Sequence, residues 1–224
     1  MNRIEKDFDL FARDRGISSN KLNGYKRYQD KIYEPYILEE RQLNVTSMSI
    51  FSRLMYDRIL FLSSEVDEDS ANILNAQILY LNSTESDDIS LFMNTPGGSV
   101  IDGLAIYDVM NFVSCDIQTY CIGMCASMGS VLLSSGAKGK RHSLPHGSIM
   151  IHQPSTAIGR IKSTDLMIEA EEMKKCESTL YSILSQNTGQ DIDHIRELCQ
   201  HDKWYTAKEA VAFGLIDDIV SKTS

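Results

Sequence analysis

The sequence predicts an α/β fold whose sheet is largely parallel. From about residue 58, short apolar runs alternate with segments whose apolar residues recur every three to four positions. The runs at residues 58–62, 89–93, 117–122 and 148–151 have the length and composition of buried strands. The segments between them have helical periodicity. Strands that alternate with helices favour parallel neighbours joined by right-handed crossovers.

Local signals place the helices along the chain. The first is expected to begin near Asp69 or Ser70, since Asp and Ser side chains accept hydrogen bonds from the free amides of a first helical turn. Helical periodicity continues over residues 101–112, 126–133, 163–184, 191–198 and 206–213, and a last short strand is expected over 215–220. The segment 163–184 predicts a helix about 30 Å long, a length that is often exposed on one side or used against another subunit.

Residues 1 to about 45 differ from the rest. Charges of both signs alternate with aromatic side chains, and neither helical nor strand periodicity persists. We interpret this segment as an extension that is partly ordered at best. A docked N-terminal helix is the alternative.

Composition excludes several classes of function. The chain has 224 residues, a length that favours one large domain, and its net charge of −9 argues against general nucleic-acid binding, which needs a basic surface. Five cysteines without a CxxC pair or zinc-ligand spacing predict reduced thiols in a cytosol and no structural metal. The charged start shows neither a signal peptide nor a membrane span.

Ser127 is the first candidate for chemistry. It stands among small residues in the segment 122–130, where the predicted third strand ends and a helix begins. Such a turn projects the side chain, and the helix start offers unpaired N–H groups suited to a developing oxyanion. An ordinary helix-capping serine is the alternative.

A nucleophilic serine needs a base and an acid that orients the base. His152 follows an apolar run and stands at the expected carboxyl edge of a strand, where α/β sheets place their sites, whereas His142 and His146 flank Pro145 and look solvent-facing. The candidate acids are Asp165, Asp191, Asp193 and Asp202. Asp202 lies in a loop with neighbouring aromatic residues that could exclude water, although a helix cap or a surface pair with Lys203 is equally compatible with its position.

The glycine pair of the turn 94–98 is the fourth feature. Gly97 and Gly98 follow a strand and can present a free N–H with no Cβ in the way, so they offer a second oxyanion donor or merely a turn. The patterns GxxxxGK[ST] and GxGxxG are absent from the sequence, so a nucleotide site is not supported.

Eight motifs follow one another along the chain: FSRLM at 51–55, RILFL at 58–62, NTPGG at 94–98, GMCASMG at 123–129, AKGKR at 137–141, LP at 144–145, MIHQP at 150–154 and AVAFGLID at 210–217. Together and in this order they resemble the proteolytic subunits of the Clp protease family over roughly residues 36–221. The resemblance implies a crotonase-like α/β fold, a repeated β-β-α spiral with a protruding handle helix at 163–184. It leaves residues 1–35 as an extension, to be read as a propeptide or as pore loops.

The resemblance also implies a serine endopeptidase that hydrolyses unfolded proteins to short peptides inside a chamber. Ser127 would be the nucleophile, His152 the base and Asp202 the acid, and the N–H groups of Gly98 and Met128 would form the oxyanion hole. The family needs no metal or organic cofactor and stacks two seven-membered rings. ATP is used by a partner AAA+ unfoldase, which docks in clefts at subunit boundaries; the matching positions, whose alternative role is plain core, are Phe92, Phe112, Tyr120, Ile122, Leu144 and Val220.

This sequence departs from the family pattern at three places. Residues 155–157 (STA) replace an apolar residue and two glycines, which affects substrate preference and assembly. Gln200 and His201 replace an acidic residue and an Arg that pair across rings, and His201 would make ring pairing depend on pH, since histidine titrates near neutrality. Ser90 replaces a cleft aromatic residue, which would weaken unfoldase docking.

Three rival functions stay open at this point. A crotonase-fold acyl-CoA hydratase or isomerase shares the two-donor oxyanion hole but uses carboxylate bases. A non-catalytic ring subunit would scaffold an active partner, and a Ser-Lys peptidase would use a lysine that His152 makes unnecessary. The expected protein is a cytoplasmic homo-oligomer without nucleic-acid or membrane partners.

Overall fold

The computed structural model describes residues 36–41, 44–156 and 162–221 of the chain, which divides into two units, residues 1–53 and 54–224. In the first unit, strands β1 (Tyr36–Arg41) and β2 (Asn44–Ser49) form an antiparallel hairpin. The sequence shows no persistent strand period over residues 1 to about 45, because the hairpin depends on pairing between two segments and not on apolar alternation within one. The expected extension, residues 1–35, lies outside the described residues.

A parallel sheet organises the described part of the second unit, and the predicted α/β class is confirmed. Its strands, in spatial order, are β3 (Ile59–Leu62), β4 (Ile89–Thr95), β5 (Ile117–Ala126), β6 (Arg141–Ser143) and β9 (Asp218–Ile219). Two further strands extend it: β7 (Ser148–Ile151) runs parallel to the second half of β5, and β8 (Lys203–Thr206) runs antiparallel to β7. Strands β6 and β8 were not predicted.

Helices connect these strands. Their bounds are α1 (Ile50–Tyr56), α2 (Glu68–Thr84), α3 (Val100–Phe112), α4 (Met128–Ser134), α5 (Ser163–Thr188), α6 (Ile192–Leu198) and α7 (Ala207–Phe213). Helix α2 begins earlier than expected because Asp67 and Ser70 form a reciprocal capping pair, with Ser70 N donating to Asp67 Oδ1 at 2.8 Å. Helix α5 exceeds the predicted 163–184 and ends at Gly189 in a left-handed conformation. Within the described ranges, no helix is long and apolar enough to cross a membrane.

Strand β5 is longer than predicted. It continues to Ala126, so the expected strand end at Ile122 and helix start at Ala126 are both wrong. The cause is a bulge: Met93 and Thr95 of β4 pair with Cys121 and Cys125, so that three residues of β5 lie opposite one residue of β4. The bulge interrupts the alternation of buried and outward positions at residues 122–124, so the strand period is hidden from the sequence. The last predicted strand, 215–220, shortens to β9, since its first two residues are buried in the core.

The two faces of the sheet differ. Alternate residues such as Leu60, Leu91 and Cys121 are fully buried and form the core with the helices. The opposite face carries an aromatic row formed by Phe61, Phe92, Tyr120 and His142, which are aligned by strand register. Adjacent rings of this row stack with centroids 5.6, 4.6 and 4.6 Å apart.

Arg141 joins four elements beneath the sheet. Its side chain is 6% exposed and donates to both carboxylate oxygens of Asp217 at 2.9 and 2.6 Å. It also donates to the carbonyls that end helices α4, α5 and α7, at Ser134, Asn187 and Gly214. Burial alone would raise the pKa of Asp217, but the hydrogen bonds and charge of Arg141 outweigh it and hold that pKa below the usual range.

Replacing this arginine tests its structural role. Arg141→Ala is expected to lower the free energy of unfolding in urea by about 3 kcal/mol. The change removes the charged partner of a partly buried carboxylate, which keeps only the backbone donors of residues 139 and 141, and it removes a donor from three carbonyls. Lys175→Ala, which removes an exposed pair with Glu172, is the control and should cost less than about 0.5 kcal/mol. Because the pKa of Asp217 is depressed, the pair stabilises at neutral pH and this stabilisation is lost as pH falls through the folded-state pKa. Equal losses for the two variants would contradict the role.

Candidate active site

The site forms where three parallel strands end. Strands β4, β5 and β7 point in one direction, so their carboxyl ends meet at one edge of the sheet. This edge carries the glycine turn after β4, Ser127 after β5 and His152 after β7. Ala126 pairs with Met150, and Ser127 N donates to the Met150 carbonyl at 2.9 Å, which fixes the serine beside the histidine strand.

Ser127 has an unusual backbone. Its φ of 55° and ψ of −124° are rare for a residue with a side chain, and they turn the chain sharply from β5 into α4. Its carbonyl accepts from Ser130 N at 2.9 Å and from Ser130 Oγ at 2.6 Å. Its side chain makes no cap hydrogen bond. The alternative of an ordinary helix-capping serine is therefore wrong.

His152 bridges the serine and the aspartate. Its Nε2 lies 2.8 Å from Ser127 Oγ, and its Nδ1 lies 3.0 Å from Asp202 Oδ1. The pairing between β7 and β8 explains this geometry: Ile151 lies opposite Lys203, so the next position outward places His152 opposite Asp202. The structure thus brings the three predicted residues into one chain of hydrogen bonds.

The surroundings of the aspartate differ from expectation. The Asp202 side chain is 62% exposed, so the predicted aromatic cover is wrong for the single chain: Trp204 is itself exposed and Tyr205 turns into the core. The competing acids are engaged elsewhere. Asp191 caps α6, and Asp193 pairs with an arginine one turn along that helix.

The glycine turn is pressed against the serine. Gly97 has a φ of +88°, and a Cβ there would lie 2.7 Å from Ser127 Cβ and 2.9 Å from Met128 N. The turn is held by Val66, whose N–H donates to the Gly97 carbonyl at 2.8 Å and whose carbonyl accepts from Ser99 at 2.7 Å. Only glycine fits so close an approach.

Two backbone amides beside the serine are free to donate. The bridge with Val66 uses the groups on either side of the Gly98 N–H, and Met128 N is the first amide of α4. Among the described residues, no backbone acceptor takes either hydrogen. The predicted oxyanion donors therefore lie on the two segments that contact each other at Ser127.

A small cavity opens beside the serine. Its volume is about 20 Å³, close to the size of one water molecule. Besides Ser127 and His152, its lining is mostly apolar and comes from α3, α4, α5 and the chain after β7: Val100, Met128, Val131, Pro154, Leu180 and Leu184. The cavity is thus mostly apolar but too small to hold a substrate side chain.

The six predicted docking positions lie outside the core cluster, so the alternative that they are plain core is wrong. Phe92 and Tyr120 stack in the aromatic row, and Ile122 follows on the same strand face. Leu144 and Val220 come directly after the paired strands β6 and β9. Phe112 ends α3 with 79% exposure, outside the row.

His142 was misjudged from the sequence. Its side chain is 12% exposed, stacks on Tyr120 and pairs with Asp218, so the expectation of a solvent-facing residue is wrong. His142 and Phe61 lengthen the aromatic row beside the docking positions. Alternation along each strand could have indicated that His142 points to the same face as Tyr120. It could not show that the two residues are neighbours, because that depends on the register between their strands. His146 is exposed, as expected.

Comparison with known proteins places the chain in a family. The Clp protease family model matches residues 41–223. An ATP-dependent Clp protease proteolytic subunit of Porphyromonas gingivalis is 46% identical over 223 residues, or 99% of each chain. Proteins of the same description from two Bacteroides fragilis strains are 46% identical over 96% of this chain and 99% of theirs, and 50% identical over 84% and 91%.

The fold and the motifs define a crotonase-like serine peptidase. The chain belongs to the Clp protease family. The predictions of this family, of its fold and of a proteolytic subunit that hydrolyses peptide bonds are confirmed. The P. gingivalis relative also spans the region of residues 1–35, since the alignment covers nearly both chains.

Adding a methyl group to the glycine turn tests its fit. Gly97→Ala is expected to slow labelling of Ser127 by a fluorophosphonate at least about tenfold, because the new Cβ displaces the serine turn. Gly139→Ala is the matched control: its φ is also positive, at +84°, but nothing lies within 4 Å of the new Cβ. Equal labelling of the two variants would show that the contact with Ser127 is unimportant.

Proposed function

We propose that Ser127, His152 and Asp202 form the catalytic triad of this peptidase. The observation that carries the proposal is the unbroken path of hydrogen bonds, 2.8 and 3.0 Å long, from hydroxyl through imidazole to carboxylate. His152 takes the proton of Ser127 as Oγ attacks a peptide carbonyl. Asp202 accepts from Nδ1, fixes the tautomer and stabilises the imidazolium that forms.

The N–H groups of Gly98 and Met128 hold the oxyanion of the tetrahedral intermediate. Their support is their position in the chain: Met128 follows Ser127 directly, and Gly98 follows Gly97, which contacts Ser127. Gly98 also has a φ of +152° that a residue with a Cβ rarely adopts. His152 then protonates the leaving amine, and water hydrolyses the acyl-enzyme. These steps consume only water, so the chain needs no metal or organic cofactor.

The substrates are unfolded polypeptides, cut to short peptides. An extended chain suits the site because the reacting groups lie at the ends of strands and have backbone groups beside them. The departures at Ser155 and Thr156 border this site and bear on substrate preference; Ala157 lies outside the described residues.

The rival functions fit less well. An acyl-CoA hydratase or isomerase would need carboxylate bases, whereas the groups that reach Ser127 are an imidazole and, behind it, Asp202. A Ser-Lys peptidase is unnecessary because His152 occupies the position of the base. A non-catalytic subunit is disfavoured by the complete path of hydrogen bonds.

Conservative changes test the triad. Ser127→Ala should abolish both peptide hydrolysis and fluorophosphonate labelling. Asp202→Asn should lower kcat by about 10³–10⁴, because the amide cannot hold the required tautomer. Asp193→Asn, at an exposed carboxylate paired on the surface of α6, is the control and should retain full activity. A Ser127→Ala protein that still hydrolyses peptide at the wild-type rate would refute the triad.

The chain assembles as two stacked seven-membered rings. Support comes from the exposed first half of α5, where Leu166, Met167 and Ile168 are 44%, 68% and 60% exposed and would be covered by another subunit. The word "subunit" in the names of the relatives agrees with an oligomer. The pH dependence of ring pairing through His201, an exposed residue, stays a prediction.

An AAA+ unfoldase supplies ATP-driven unfolding and docks on the outer face of the sheet. The half-buried Phe92 and Tyr120, with Ile122, Leu144 and Val220, support an apolar docking surface, to which the exposed Phe112 contributes. Ser90, opposite Ile59 and Gln118, leaves the end of this surface without an aromatic ring. The printed names of the relatives describe them as ATP-dependent.

Separating peptide hydrolysis from protein degradation tests this surface. Phe112→Ser should leave hydrolysis of a short peptide within about twofold of the wild-type rate. It should lower ATP-dependent degradation of a folded protein at least tenfold, as expected for loss of an aromatic anchor that becomes buried when the unfoldase docks. Val211→Ser, at an exposed apolar residue outside the surface, is the control. Undiminished degradation by Phe112→Ser with a cognate unfoldase would remove Phe112 from the surface.

The location we propose is the cytoplasm. The five cysteines Cys115, Cys121, Cys125, Cys176 and Cys199 are all free thiols, which fits a reducing compartment and a partner that needs ATP. The absence of nucleic-acid and membrane partners stays a prediction.

A further inference from the structure

The bulge in β5 brings two cysteines together. Cys121 pairs with Met93 and Cys125 with Thr95, so four steps along β5 span the same length as two steps along β4. At ~3.3 Å per residue this span is about 6.6 Å. A disulfide requires a Cα–Cα distance of about 4.4–6.8 Å, a range that residues four apart in a regular strand never reach.

The two thiols also interact chemically. Both side chains are fully buried, and the single Cys125 proton has two acceptors in reach, the Cys121 sulfur and the Met93 carbonyl, the latter 3.8 Å from Cys125 Sγ. Hydrogen bonding from Cys125, with help from Gly123, Ser143 and Ser148, outweighs burial and lowers the pKa of Cys121 to about 7. Burial raises the pKa of Cys125 well above its usual value. Cys121 is therefore the more readily ionised thiol of the pair.

Cys199 provides a contrast within the chain. It is equally buried, but no such donor supports its thiolate, and burial raises its pKa to about 12. Since the thiolate is the reactive form, burial alone leaves Cys199 unreactive. The pairing of Cys121 with Cys125 thus distinguishes this site from an ordinary buried cysteine.

The pair lies on the segment that positions Ser127. Asn94 clamps the bulge: its Oδ1 accepts from Met124 N at 2.9 Å and lies where a Cβ on Gly123 would stand. Ser127 follows Cys125 by two residues and is held by the Met150 carbonyl. A disulfide would draw the two ends of the bulge toward each other and shift this short segment.

We propose that Cys121 and Cys125 form a peroxide-sensitive pair whose disulfide displaces Ser127 and lowers peptidase activity. The Cys121 thiolate attacks hydrogen peroxide, the O–O bond breaks, and a sulfenic acid and hydroxide form. Cys125 sulfur then attacks the sulfenic sulfur, and its proton leaves with the hydroxyl group as water. Both thiols are oxidised to one disulfide, and peroxide is reduced to two waters. Cys121 Sγ lies against the turn between β6 and β7, 3.2 Å from where a Cβ on Gly147 would stand, so local opening of this turn would admit a molecule as small as peroxide.

The first experiment measures the bond without using activity. Full-length protein is treated with hydrogen peroxide, remaining thiols are alkylated, and peptides are analysed by mass spectrometry. The expected product is a peptide containing Cys121 and Cys125 that has lost two hydrogens and escapes alkylation, while Cys199 is alkylated after unfolding. Alkylation of both cysteines in unfolded, peroxide-treated protein would overturn the proposal. This readout is independent of the proposed triad.

The second experiment measures the effect on Ser127 and rests on the proposed function. Fluorophosphonate labelling and peptide hydrolysis should both fall at least about tenfold on oxidation, since displacements near 1 Å at a reacting group have effects of this size. Dithiothreitol should restore both. Cys125→Ala should retain activity and lose the peroxide effect, whereas Cys199→Ala should keep it.

The outcomes separate the two claims. If mass spectrometry detects the disulfide but fluorophosphonate labelling of Ser127 is unchanged, the proposed displacement of Ser127 is overturned. If Cys125→Ala is poorly folded, Cys125→Ser, which keeps the side-chain size, takes its place. An untreated protein that neither labels nor hydrolyses peptide would contradict the triad and leave the disulfide result standing.

Discussion

The change of partner along β5 is the constraint on which the rest of the structure depends. Its first half pairs with β6 and its second half with β7, and the bulge opposite Asn94 separates the two halves. Because β7 in turn pairs with β8, one strand determines where the serine, the histidine and the aspartate lie. A slip of one residue in either register would turn every side chain to the opposite face and disperse the site.

The serine turn stores strain that its neighbours offset. A residue with a side chain at positive φ costs about 1–3 kcal/mol. Ser127 keeps this conformation because Met150 accepts from its N–H and Ser130 donates twice to its carbonyl. Gly97 leaves the space that the turn needs. The same conformation directs the Ser127 hydroxyl at His152. It also leaves the N–H of Met128 without a backbone acceptor among the described residues, as the proposed oxyanion hole requires.

The same strands carry the candidate active site and the proposed docking surface. On β5, Tyr120 and Ile122 face outward with the docking positions, while Cys121 and Cys125 face the core. Ser127 ends that strand. The outward residues and Ser127 therefore lie on one strand. A packing change within the bulge would move the backbone of both.

The sequence by itself determined the α/β class and the order of the motifs, and it made Ser127, His152 and the glycine turn candidates for the site, since each depends on chemistry within a few adjacent residues. Only the tertiary structure decided among Asp165, Asp191, Asp193 and Asp202, because antiparallel pairing of β8 with β7, between segments some fifty residues apart, puts Asp202 opposite His152. The bulge, the hairpin of β1 and β2 and the place of His142 beside Tyr120 have the same cause. Local propensity depends on consecutive residues, whereas register depends on how strands that are distant in the sequence pack together.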